Sequence, residues 1–251
     1  MIEVETVEGI AVLRMQHGKA NALDIEFCEA LAARFNALRT NDEVEAIVLT
    51  GAGTMFSAGV DLKRLSAGGA DYVRAFLPAL HKLYEEVFFH PKPVVAAING
   101  HAVAGGAILA CCADRRIMAH EAGRIGVTEM LVGVPFPALA FEVLRAAVPA
   151  EYLAEFAYSG ATYMTDDALE CGWIDEIAEP EELLEDALAV AEELAALPAA
   201  AFALTKAQIR GPVTERLAVS GEEIDREVTA LWCADDTLAR VRDYVARMLT
   251  K

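Results

Sequence analysis

Phe56-Ser57-Ala58-Gly59-Val60-Asp61 and Asn99-Gly100-His101-Ala102-Val103-Ala104-Gly105-Gly106 are the stretches whose reading decides this chain. Each follows an apolar, β-like run, Ala46 to Leu49 and Val94 to Ile98, so each sets a glycine-containing turn at the end of a predicted strand. A turn of this kind presents a bare backbone N–H. Two such groups converging on one oxygen form an oxyanion hole, which stabilises charge developing on a carbonyl. An isolated acid, Glu129 in Gly126-Val127-Thr128-Glu129, completes the pattern. Its neighbours Val127, Met130, Leu131 and Val132 predict an apolar surround and a raised pKa, which suits a carboxyl to general acid–base work.

Outward from these turns, residues 2 to 15 alternate around Glu8-Gly9 and predict a hairpin, and Asp24 reads as the N-cap of a helix to about Arg39. A strand is expected from Glu45 to Thr50, a helix from Asp71 to Phe89 ended by Pro91 and Pro93, and a buried helix from Gly105 to Cys112. Arg116 to Met118 reads as strand, Gly123 to Pro137 as strand and loop, and helices resume at Ala138. Strands alternating with helices predict an α/β class. Pro198 closes a helix from Pro180 to Leu197, and the rest is helical. The chain therefore divides into a core, residues 1–198, and a C-terminal helical segment, residues 199–251.

Composition limits the partners. Acids outnumber bases 39 to 21, for a net charge of −18, which argues against nucleic acid because phosphate binding is driven by clustered Lys and Arg. The five cysteines, Cys28, Cys111, Cys112, Cys171 and Cys233, form no C-x-x-C pair, and the five histidines show no ligand spacing, so neither a disulfide framework nor a metal site is expected. Met1-Ile2-Glu3-Val4-Glu5 is acidic and alternating, unlike a secretory leader, and reduced thiols in a cytoplasmic setting are the expectation. Val94 to Ala113 carries no formal charge, the length of a membrane span, yet Asn99, His101 and three glycines interrupt it. A buried strand, turn and helix are expected there, with no membrane.

With these residues in view the chain resembles the crotonase family, the enoyl-CoA hydratase/isomerases, most specifically from Phe56 to Pro137. The resemblance implies a β-β-α spiral core, an acyl-CoA thioester substrate, and no separate cofactor, since coenzyme A arrives as part of the substrate. It implies that Val60 and Gly105 donate the oxyanion N–H groups and that Glu129 moves the proton. Coenzyme A is expected along Lys19, Ala20 and Ala22 and along Ala58, Asp61 and Leu62, with Lys19 supplying a local positive charge on an acidic surface. Lys63 and Arg64 are further candidates for that charge. Trp232-Cys233-Ala234-Asp235-Asp236 is similar to a segment beside the acyl or pantetheine channel, although Thr237-Leu238-Ala239-Arg240 departs from the usual Glu-Gly that follows. A homotrimer or a dimer of trimers, assembled through the C-terminal segment, is also implied.

Two departures refine the expected reaction. The second glutamate of the family's hydratases is replaced by Ile108, and the glycine whose N–H helps hold the attacking water is replaced by Pro137, which has none. A single carboxylate suffices to shift a double bond by taking a proton from C2 and returning it to C4, so the pattern points to an isomerase. A hydratase using His101 as second base is the alternative, and a protein that binds acyl-CoA without turnover, or an interaction subunit, is the alternative of another class.

Overall fold

The computed structural model describes residues 1–249. β1 (Ile2–Val7) and β2 (Ile10–Met15) form the expected antiparallel hairpin, and Glu8 and Gly9 between them take φ of 48° and 84°, the positive values that a two-residue hairpin turn requires. Asp24 caps α1 (Ile25–Arg39) by accepting from the N–H of Phe27 at 2.8 Å. Three β-β-α coils follow. They are β3 (Ala46–Gly51), β4 (Met55–Ser57) and α2 (Leu62–Phe88); β5 (Val94–Ile98), β6 (His101–Val103) and α3 (Gly105–Cys111); and β7 (Arg115–Ala119), β8 (Ile125–Gly126) and α4 (Glu129–Val132). Helices α5 (Ala138–Ala147), α6 (Leu153–Ser159) and α7 (Thr165–Glu170) then lead to β9 (Glu176–Ala178) and α8 (Leu183–Ala195).

The first strand of each coil joins a six-stranded sheet of order β1-β2-β3-β5-β7-β9, and the second joins a three-stranded sheet of order β4-β6-β8. After the first hairpin these strands pair with one another in parallel. This is the spiral that the resemblance implies, within an α/β fold. Asn99 ties two coils at their corners, its Oδ1 accepting from the Gly51 N–H at 2.9 Å and its Nδ2 donating to the Gly53 carbonyl at 2.9 Å.

Strands β2, β3, β5 and β7 bury both faces. Val48, Val95, Ala97 and Ile117 point towards Leu183, Ala187 and Ala191 of α8, while the alternate residues Ile47, Leu49, Ala96 and Met118 join the main core with Phe27 and Phe35 of α1 and Phe76 of α2. That alternation follows from the two-residue period of a strand. Continuous apolar runs such as Val94 to Ile98 arise because a parallel sheet is covered on both sides.

Three expectations are corrected. Helix α2 begins at Leu62, ahead of Asp71, because Asp61 Oδ1 accepts from the N–H groups of Lys63 and Arg64 at 3.0 Å each; a break at Gly69 (φ 59°, ψ −149°) hides that first segment in the sequence. Glu129 opens a single helical turn, α4, inside the stretch read as strand and loop. β9 occupies a region read as helical throughout, and three residues pairing with β7 are too short to carry a periodic signal.

Beyond Pro198 lie α9 (Ala199–Arg216), a π-helical turn over Leu217–Gly221, α10 (Glu222–Trp232) and α11 (Asp235–Leu249); the last two residues of the predicted helical segment lie outside the described residues. These helices fold back onto the core, α9 against α5 and α11 against α2 and α4. Val94 to Ala113 resolves into β5, β6 and α3 inside the protein. Among the described residues no single helix is long and apolar enough to cross a membrane.

Candidate active site

Each coil delivers one group where its second strand ends: the Ala58-Gly59-Val60 turn after β4, Ala104-Gly105 after β6, and Glu129 after β8. Leu23 pairs with this first turn in a parallel bridge, its N–H donating to the Gly59 carbonyl at 2.8 Å and its carbonyl accepting from the Asp61 N–H at 2.9 Å. Successive peptides of an extended chain face opposite ways, so the Val60 N–H turns away from Leu23. It has no acceptor among the described residues.

Glycine is required at position 59, where φ is 74° and a Cβ would lie 2.8 Å from the Gly105 nitrogen and 2.7 Å from the Val103 carbonyl oxygen. The two turns therefore pack backbone against backbone. Ala104 holds φ 52° and ψ −127°, a conformation that costs a non-glycine residue roughly 1–3 kcal/mol. It starts α3 and leaves the Gly105 N–H as a first-turn donor with no acceptor among the described residues. Tyr84 of α2 fastens the same residue from behind, its buried hydroxyl donating to the Gly105 carbonyl at 2.9 Å. Sequence reasoning missed Tyr84, because a tyrosine on the buried face of a helix reads as core.

Glu129 is 9% exposed, and its Oε2 has no partner among the described residues. Desolvation pushes its pKa from 4.5 up to about 7, partly offset by the N–H groups of Glu129 and Thr128. The raised value was expected from its neighbours, but Met130 and Leu131 are 50% and 57% exposed. The other two neighbours, Val127 and Val132, are buried as expected, and Val132 lines the cavity with Glu129, joined there by Val134 and the C-terminal helices.

These groups meet in a cavity of about 800 Å³ whose wall includes Val60, Ala104 and Glu129 together with Lys19, Ala20, Ala22, Ala58, Asp61 and Leu62. Gly105 is buried, and Ala104 takes its place on the wall. Lys19 and Lys63 are exposed at the rim, whereas Arg64 is engaged by Asp24 at 2.9 Å and by Glu26. The Asp61 carboxylate caps α2. Trp232, as its segment predicted, lines the cavity, with its indole N–H donating to the Pro135 carbonyl at 2.8 Å. Tyr244 and Val245 of α11, which no sequence signal marked, complete that side from the same chain.

Asp61 and Glu129 are the acids on this wall; Asp61 is half-exposed with its Oδ1 held by the start of α2, and among the described residues only Glu129 places a buried carboxyl oxygen there without a partner. Ile108 is 1% exposed in the core and off the wall, and Pro137 precedes α5. His101 lines the cavity, but its Nδ1 accepts from the Arg124 N–H at 3.2 Å, so the neutral ring carries its proton on Nε2 and offers a donor. Among the described residues no cluster of three His, Cys, Asp or Glu side chains could hold a metal ion. The arrangement can accept a proton on one buried carboxyl and return it within reach of two unpaired backbone donors.

The family model described as enoyl-CoA hydratase/isomerase matches residues 5–237. A Thermus thermophilus relative with an enoyl-CoA hydratase name is 36% identical over 209 residues, covering 82% of each chain. The solved structure of a human mitochondrial delta3-delta2-enoyl-CoA isomerase superposes with a TM-score of 0.93 at 25% identity, covering 99% of this chain and 98% of that one. One Mycobacterium tuberculosis protein is described as a hydratase in one solved structure (34% identity, TM-score 0.83, covering 90% of this chain and 95% of that one) and as an isomerase in another (32%, 0.79, 93% and 98%). The two activities thus share one scaffold, and the chain belongs to the enoyl-CoA hydratase/isomerase family of acyl-CoA enzymes.

Proposed function

We propose that this enzyme is an enoyl-CoA isomerase that moves a double bond from C3 to C2 of an acyl-CoA thioester. The observation that carries the reading is that Glu129 is the one buried, unpartnered carboxyl on the cavity wall among the described residues, with Ile108 in the core where a second would stand. The thioester carbonyl accepts from the N–H groups of Val60 and Gly105. Glu129 takes a proton from C2, the negative charge spreads into a dienolate whose oxygen lies in the oxyanion hole, and Glu129 returns the proton to C4. A carboxyl with a pKa near 7 is matched to both transfers. Coenzyme A runs along Lys19, Ala20, Ala22, Ala58, Asp61 and Leu62, mainly on backbone, with Lys19 and Lys63 meeting its phosphates. No further cofactor is needed. The division at Pro198, a C-terminal segment that assembles a homotrimer or dimer of trimers, and a cytoplasmic setting belong to the same reading.

Incubating the enzyme with a 3-enoyl-CoA should give the 2-enoyl-CoA, with 3-hydroxyacyl-CoA forming slower by at least about two orders of magnitude, as expected when one acid–base partner is absent. Ile108→Glu should restore little hydration, because the new carboxylate starts in a packed core and Pro137 still offers no N–H. The hydratase reading is favoured by the names of several relatives. Rapid formation of 3-hydroxyacyl-CoA from a 2-enoyl-CoA, without double-bond migration, would establish it in place of the isomerase.

A further inference from the structure

A second cavity, of about 310 Å³, opens at the end of α3 remote from Gly105, between β7, α5 and α9. Its charged residues are Asp114, Arg115, Arg116, Lys206 and Arg210, a local excess of bases in a chain dominated by acids. The pairs do not balance. Arg116 is saturated by Asp175 at 3.0 and 3.1 Å and by the Ala147 carbonyl at 2.9 Å, and Arg115 faces Glu176 at 3.5 Å. Lys206 and Arg210 must share Asp114, each at 2.6 Å, although they are only 6% and 7% exposed. One positive charge is left without a counter-charge. Two guanidinium nitrogens, Arg210 Nη1 and Arg115 Nε, are buried with no acceptor among the described residues. A buried cation that lacks a partner is costly, and an anion is the natural complement.

The rest of the wall selects among anions. Phe88, Ala147, Leu194 and Phe202 make it apolar, the Arg210 guanidinium lies 4.2 Å from the Phe88 ring centroid, and exposed Ala146, Thr205 and Ile209 mark the mouth. We propose that this cavity is a second ligand site, independent of the acyl-CoA cavity, which binds a small carboxylate with a short apolar tail. Arg210 receives the carboxylate, aided by Arg115, and the tail lies along Phe202 and Leu194.

Titration calorimetry of the full chain with hexanoate tests this. Hexanoate should bind at one site, with hexanol lacking the charge and inorganic phosphate lacking the tail each at least about tenfold weaker, in keeping with the strength of charge-assisted hydrogen bonds. Arg210→Met should weaken hexanoate at least about tenfold. Ala146→Trp, which fills the mouth from a solvent-facing position, should do the same even if Arg210→Met fails to fold. Val60→Trp, which blocks the first cavity, should leave hexanoate binding unchanged. Absence of hexanoate binding, binding lost in Val60→Trp but intact in Ala146→Trp, or phosphate binding as tightly as hexanoate would each overturn the proposal.

Discussion

Glu129 carries two linked consequences. Glu129→Gln keeps the shape but cannot accept a proton, so turnover should fall about 10²- to 10⁴-fold or more while thioester binding persists, checked by steady-state rates and calorimetry. Activity within threefold of the parent would remove Glu129 from the mechanism. The same substitution should change stability in a pH-dependent way. The folded pKa of about 7 lies above the ordinary 4.5, so between these values the folded state holds a proton that the unfolded chain has released. That contribution is complete below pH 4.5 and is lost as pH rises through 7, a span worth roughly 3 kcal/mol. Urea unfolding should therefore find Glu129→Gln more stable than the parent at pH 8 and nearly equal to it at pH 4.5; a constant difference would contradict the buried, unpaired carboxyl. Lys19 is exposed, so Lys19→Ala should weaken CoA-thioester binding by no more than about fivefold, and only at low salt.

The decisive elements are the turns after β4 and β6. Gly59→Ala adds a methyl 2.8 Å from the Gly105 nitrogen at a positive φ, so it must push the two turns apart, whereas Gly53→Ala at φ 67° meets nothing within 4 Å. Both variants pay the backbone strain of about 1 kcal/mol, but only Gly59→Ala should also abolish turnover. Denaturant midpoints and rates measured together separate the two costs, and full activity in Gly59→Ala would show that the turns need not touch. Helix α2 begins on the Asp61 cap, so Asp61→Ala should cost about 1 kcal/mol of stability.

Across the whole molecule, acid sensitivity should trace to His90, which is fully buried between α1 and the start of β5. Desolvation, with Lys206, Arg39 and Lys92 adding like charge, lowers its pKa from 6.5 to about 4, while its Nδ1 accepts from the Lys92 N–H at 3.3 Å. Between those values the unfolded chain binds a proton that the folded one refuses. Stability is therefore lost as pH falls from 6.5 towards 4, by roughly 3 kcal/mol. His90→Gln should shift the acid-unfolding midpoint to lower pH, as followed by circular dichroism, and an unchanged midpoint would assign acid unfolding to other groups. The proposed trimer is checked at the same scale by sedimentation equilibrium, where a monomer at micromolar concentration would refute it.

Local chemistry made much of this protein legible in its sequence. The Glu8-Gly9 hairpin, the Asp24 cap, the apolar strands and the turns at Gly59 and Gly105 are set by residues within a few positions of one another, as were the candidate donors and the lone glutamate. Tertiary structure alone decided how those pieces meet. The coils form a repeat with no repeated sequence, because β4, β6 and β8 have only two or three residues each and the helices that follow range from 4 to 27. The burial of Glu129 does not come from Met130 and Leu131 beside it in the chain, and part of the wall around it is supplied by Trp232, Tyr244 and Val245, more than a hundred positions away. The uneven sharing of Asp114 by Lys206 and Arg210 likewise exists only once α9 packs beside β7, since charge balance in a cavity is a property of the space that distant segments enclose.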